Sequence, residues 1–91
     1  MNSLVYPEIL MYSRNFCSDC VRSKAILDNN KIPYKEINIL EDKKAQEKVI
    51  KINNGRATVP TIIIKNSKDE IVLSEPTDSE LAKAISKLSL K

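Results

Sequence analysis

Apolar side chains recur along the chain in short segments whose spacing changes from one to the next. Glu8 to Tyr12 is short and mostly apolar, the pattern of a buried strand. Ser13-Arg14-Asn15-Phe16 breaks it. From Cys17 onward Cys20, Val21, Lys24, Ala25, Ile26 and Leu27 recur at helical spacing until Asp28-Asn29-Asn30 ends the run. Ile32-Pro33-Tyr34 opens a second strand, where Tyr34, Glu36 and Asn38 alternate against Lys35, Ile37 and Ile39, so one well-buried face is expected. Asp42 is placed to cap a helix in which Ala45, Val49 and Ile52 lie at i, i+4 and i+7, and Asn53-Asn54-Gly55 is its stop. Thr61 to Ile64 is a β-branched run, and a further strand over Glu70 to Leu73 completes a hairpin. Thr77 and Glu80 have capping-box spacing ahead of a closing helix with the stripe Leu81, Ala84, Ile85 and Leu88.

The resulting order, β-α-β-α-β-β-α, predicts an α/β fold: a four-stranded mixed sheet flanked by three helices, its first two strands parallel through a right-handed crossover. A chain of 91 residues, 42% of them apolar, is long enough for one core without staples, and a single domain over residues 1–91 is expected. The net charge of +3 is spread along the sequence with no basic block, so nucleic acid and anionic membrane are not the expected partners. The longest apolar runs, Ile9 to Tyr12 and Ile62 to Ile64, fall far short of the ~18 residues of a spanning helix. Met1 to Glu8 has neither a basic n-region nor an apolar h-region, which makes the cytoplasm the expected location.

Two cysteines three positions apart are too few and too close for a disulfide framework, and with no His they cannot complete a four-ligand zinc site within one chain. They read as a reactive pair. In Cys17-Ser18-Asp19-Cys20 the first sulfur falls at a strand-to-helix junction, close to unpaired N–H groups and the positive end of the helix dipole, which favour thiolate. Cys17 is therefore the expected nucleophile. Cys20, one turn inside the helix and on the same side, is the expected resolving thiol, able to close a disulfide with Cys17. Asp19 opposes a thiolate between the two, while Arg14, Arg22 and Lys24 act the other way. Pro60, just ahead of an apolar strand, cannot donate a ladder hydrogen bond and marks a strand start or tight bend.

Tyr12-Ser13-Arg14-Asn15-Phe16-Cys17-x-x-Cys20, Ser23-Lys24-Ala25-Ile26-Leu27 and Gly55-Arg56-Ala57-Thr58-Val59-Pro60 together resemble a glutaredoxin across nearly the whole chain. The element order is that of the thioredoxin-like fold such proteins share. The resemblance implies a cis Pro60 facing the nucleophile and a Val59 backbone that takes the cysteinyl part of a thiol as an added strand would. It implies a substrate groove of Arg14, Arg56, Thr58, Val59 and Pro60, with both arginines placed for a ligand carboxylate. Two departures stand out. Ser18-Asp19 replaces the usual Pro-Tyr, and Ser74-Glu75-Pro76-Thr77-Asp78 stands where a Gly-Gly pair precedes the last helix, leaving Asp78 as the candidate for a ligand ammonium.

The implied activity is thiol-disulfide oxidoreduction, a function in electron transport and cell redox homeostasis, by a monomer with no permanently bound cofactor and no metal. Electrons would come from glutathione, another low-molecular-weight thiol or a flavoprotein disulfide reductase, and disulfide-containing proteins would be substrates. The alternative implied by the resemblance is an iron-sulfur cluster carrier, with Cys17 from two chains and two external thiols as ligands.

Overall fold

The computed structural model describes residues 5–89. Met1 to Leu4, half of the stretch read for a leader, lie outside the described residues with Leu90 and Lys91. The elements follow the expected order: β1 (Glu8–Ser13), α1 (Ser18–Asn29), β2 (Lys35–Asn38), α2 (Lys43–Ile52), β3 (Thr61–Lys65), β4 (Glu70–Ser74) and α3 (Asp78–Leu88). The strands form one sheet in the order β2-β1-β3-β4. β1 runs parallel to β2 and antiparallel to β3, and β3 and β4 form the hairpin.

Strand alternation sends side chains to both faces, and each face has a cover. Ile9 and Met11 of β1 and Ile62 and Ile64 of β3 pack with Leu27 of α1 and with Leu81, Ala84, Ile85 and Leu88 of α3. On the other face Tyr12 and Ile63 pack with Ile39 and with Ala45 and Val49 of α2. This two-sided burial explains why β3 reads as a continuous β-branched run while β4, at the edge, alternates.

Two expectations shift. β2 is the other edge strand and only four residues long. Ile37 is half-buried on the α2 face and Tyr34 packs on the opposite face, so the strand has two partly covered faces rather than one well-buried one. In α1 the buried side is Cys20, Ser23 and Leu27, while Val21 and Ala25 are exposed. Val21 lies about 100° around the helix from Cys20, so Ser23 takes the inward place instead.

The helix ends obey their local chemistry. Asp42 accepts the Ala45 N–H at 3.0 Å, and Thr77 and Glu80 form the full capping box. α2 stops in a Schellman arrangement: Asn54 takes the left-handed conformation at φ 57°, and the Gly55 N–H reaches the Ile50 carbonyl at 2.8 Å. The Tyr34 hydroxyl donates to Asp28 at 2.9 Å and ties the end of α1 to the start of β2. Burial, then that carboxylate, raises its pKa to about 12.

Leu81 is fully buried and Leu40 is exposed. Leu81→Ala should therefore cost about 2–5 kcal/mol and Leu40→Ala less than about 0.5 kcal/mol, read as urea midpoints at equal slope. Comparable losses would place the core elsewhere. A second test uses pH. The Glu80 carboxyl is held below its ordinary value, first by the Thr77 backbone N–H and then by the Thr77 hydroxyl. A lowered folded-state pKa adds stability that is complete above the ordinary Glu range, near ~4.3, and is lost as pH falls through the lowered value. Wild type should thus melt above Glu80→Gln at neutral pH, and the two Tm values should converge in acid. A gap that persists at low pH would mean that charge is not what the capping box contributes.

Candidate active site

Strand register decides which loops meet. Tyr12 of β1 lies opposite Thr61 of β3, and Thr61 lies opposite Ser74 of β4. The stretch after β1, the Thr58-Val59-Pro60 run before β3 and the residues after β4 therefore converge on one end of the sheet. Loop contacts fasten them together. The Thr61 hydroxyl donates to the Thr58 carbonyl at 2.8 Å, and the Glu75 N–H donates to the Pro60 carbonyl at 2.8 Å. The Asn53 side chain, past the end of α2, donates to the Thr61 hydroxyl at 3.0 Å. Val59-Pro60 is a cis peptide, with Pro60 buried and Val59 half-buried.

Cys17 is the N-cap residue of α1, in extended conformation, and its Sγ accepts the Cys20 N–H at 3.1 Å. A sulfur here does the work of the usual capping oxygen, satisfying one of the free donors at the helix start. Cys17 is half-buried and Cys20 is 2% exposed. The two are disulfide-bonded, with Cα atoms 5.2 Å apart. Phe16, immediately before them, is fully exposed and left-handed at φ 57°.

The expected site residues are distributed unevenly. Arg14 lines a cavity of about 550 Å³ with Cys17 and Cys20. Thr58, Val59 and Pro60 stand at the same end of the sheet but do not line that cavity, and Arg56 is exposed on the loop leading to them. Asp78 is already engaged: its carboxylate lies 3.0 Å from Arg22 Nε. Arg22 also holds Asp19 at 3.0 Å and donates to the Pro76 carbonyl at 3.1 Å. The carboxylate between the cysteines is thus balanced by a guanidinium on its own helix, which offsets its expected opposition to a thiolate.

Within the stretch that stands in place of the Gly-Gly pair, Glu75 adopts φ 46°, the left-handed conformation that glycine takes at least cost. Sequence spacing signals the Asp19–Arg22 pair, but nothing in the sequence signals Arg22 reaching Pro76 and Asp78, or Ser13 and Glu36 meeting across strands. Among the described residues, no group of three or more His, Cys, Asp or Glu side chains is arranged to hold a metal ion.

Comparison with known proteins agrees with this geometry. The family model described as Glutaredoxin matches residues 9–68. The chain is 36% identical over 67 residues to Glutaredoxin 1 of Rickettsia conorii, an alignment covering 72% of this chain and 66% of that protein. It is 37% identical over 75 residues to the glutaredoxin-like protein NrdH of Lactococcus lactis, covering 82% of this chain and 96% of that one. The crystal structure of a glutaredoxin from Archaeoglobus fulgidus superposes with a TM-score of 0.63 at 27% identity, over 89% of this chain and 87% of that one. A cysteine pair at a helix start, a cis-proline loop at the same end of a four-stranded sheet and a family match over most of the chain lead to one conclusion: this chain belongs to the glutaredoxin family of thiol-disulfide oxidoreductases.

Proposed function

We propose that this chain, as one glutaredoxin-like unit over residues 1–91, reduces protein disulfides or mixed disulfides of low-molecular-weight thiols through the Cys17-Cys20 dithiol. The observation that carries this reading is Cys17 Sγ at the N-cap of α1, accepting the Cys20 N–H while Cys20 lies buried one turn further in. That hydrogen bond and the helix dipole favour Cys17 as thiolate when the pair is reduced. The thiolate attacks a disulfide sulfur, a mixed disulfide forms on Cys17, and the partner thiolate departs. Cys20 then attacks the Cys17 sulfur, expels the second thiolate and closes the Cys17–Cys20 disulfide.

Glutathione, another small thiol or a flavoprotein disulfide reductase reopens it, with no permanently bound cofactor. In this reading Thr58, Val59 and Pro60 form the wall along which the bound thiol lies, and Arg14 and Arg56 face its carboxylate. Asp78 has only the part of its carboxylate not held by Arg22 to offer an ammonium group. The protein acts as a cytoplasmic monomer on small thiols and disulfide-bearing proteins, not on nucleic acid or membrane.

Cys17→Ser should abolish reduction of every disulfide substrate. Cys20→Ser should keep part of the activity on a glutathione mixed disulfide, where an external thiol can resolve the intermediate. An active Cys17→Ser protein beside a dead Cys20→Ser protein would reverse the two roles. The arginine assignment has its own test, because Arg56 is exposed. A dry charge-assisted bond to a carboxylate contributes about 1.5–3 kcal/mol, but solvent screening reduces an exposed one to about 0.2–1 kcal/mol. Arg56→Ala should thus raise KM for a glutathione mixed disulfide by about 1.5- to fivefold and leave a neutral disulfide unaffected. Equal losses on both substrates with a lower Tm would make Arg56 a support of the α2 end instead.

A further inference from the structure

The dithiol mechanism leaves one proton without an acceptor. Cys20 must lose its proton to attack the mixed disulfide, yet it is 2% exposed, and burial disfavours a thiolate. Its own N–H is given to Cys17, and it lies a turn further from the free donors at the helix start. The acid nearest in sequence, Asp19, does not line the cavity beside the cysteines.

A different carboxylate does line it. Cys20, Ser13, Lys24 and Glu36 share the cavity of about 550 Å³. Ser13, itself 3% exposed, donates its hydroxyl to Glu36 Oε2 at 2.6 Å. Lys24, one turn along α1 from Cys20, holds Glu36 Oε1 at 3.2 Å. The Lys24 and Glu36 side chains are 35% and 33% exposed, so the carboxylate is oriented from two sides yet still in touch with solvent. The charged and titratable groups around it include Lys24 from α1, Arg14 and Cys17 across the same cavity, and the Tyr34 hydroxyl, which feels Glu36 from two positions earlier in the chain.

Resting on the thiol-disulfide reading above, we propose that Glu36 is the proton acceptor for Cys20 in the resolving step, the proton crossing the cavity through the Ser13 hydroxyl or a water molecule. As the Cys20 S–H bond breaks, its electron pair forms the bond to the Cys17 sulfur, the Cys17–SR bond breaks and RS⁻ departs. Glu36 holds the proton, then releases it to solvent or to RS⁻ through the open side of the cavity. When a donor thiolate later attacks Cys17, Cys20 leaves as thiolate and recovers a proton by the same route. The two sulfurs thus differ in kind: the helix start serves Cys17, and the Ser13-Lys24-Glu36 cluster serves Cys20.

The test separates the two steps. Reduced protein is mixed with excess bis(2-hydroxyethyl) disulfide, quenched with acid at intervals and weighed intact, which distinguishes the Cys17 mixed disulfide from the closed Cys17–Cys20 form. Glu36→Gln preserves the side-chain shape. It should leave the rate of mixed-disulfide formation unchanged but slow its closure about ten- to hundredfold near neutral pH, within the range of positioned proton transfer. The deficit should narrow as pH rises and hydroxide competes with Glu36 for the Cys20 proton. Glu36→Asp should restore part of the closure rate. Closure unchanged at every pH, or both steps slowed equally, overturns the proposal while leaving the Cys17 chemistry intact. Failure of the wild type to form any Cys17 mixed disulfide overturns the oxidoreductase reading and the proposal with it.

Discussion

The pairing of β1 with β3 is the constraint on which the site depends. With Tyr12 opposite Thr61, the chain leaving β1 and the chain entering β3 are forced to the same end of the sheet. One carries Cys17 and the other carries Pro60. A slip of β3 by one residue would turn every side chain of that strand to the opposite face, and Ile62 and Ile64 would leave the core shared with α1 and α3. The register that fills the core is therefore the register that assembles the cysteine and proline loops, and packing and chemistry are specified by the same hydrogen bonds.

On this frame, charge pairing gives α1 a distinct arrangement on each side. Arg22 faces the start of α3 and gathers Asp19, Asp78 and the Pro76 carbonyl, so it balances a carboxylate beside the cysteines and joins two helices. Lys24 faces β2 and meets Glu36. These pairs are partly exposed, and their value to stability is modest. Their larger effect is directional, since Arg22 draws its carboxylates towards the start of α3 and Lys24 draws Glu36 towards α1.

Much of this is legible in the sequence because it is local. Asp42, Thr77 with Glu80, and Asn53-Asn54-Gly55 act within one turn of themselves, and the Cys17–Cys20 spacing places both sulfurs at the start of a helix by helical geometry alone. The element order follows from the change in apolar spacing. What escapes is what depends on position within the sheet or on contacts between distant segments. That β2 is an edge strand follows from the strand order, which no local pattern encodes. The inward turn of Ser23 in place of Val21 depends on the azimuth of α1 against the sheet. The engagement of Asp78 by Arg22, and of Glu36 by Ser13 and Lys24, joins residues separated by a crossover or by most of the chain.

The left-handed residues that frame the dithiol have a further consequence. Phe16 precedes Cys17, and Glu75 precedes the Pro76-Thr77-Asp78 turn, both at positive φ although neither is glycine. Each such residue costs about 1–2 kcal/mol relative to a relaxed backbone. A side chain also narrows the conformations open to the unfolded chain, so these loops lose less entropy on folding than glycine loops would. The same substitution by glycine would relieve strain and loosen the loop at once. Phe16 and Glu75 thus trade some stability of the folded state for a smaller loss of entropy when their loops are ordered.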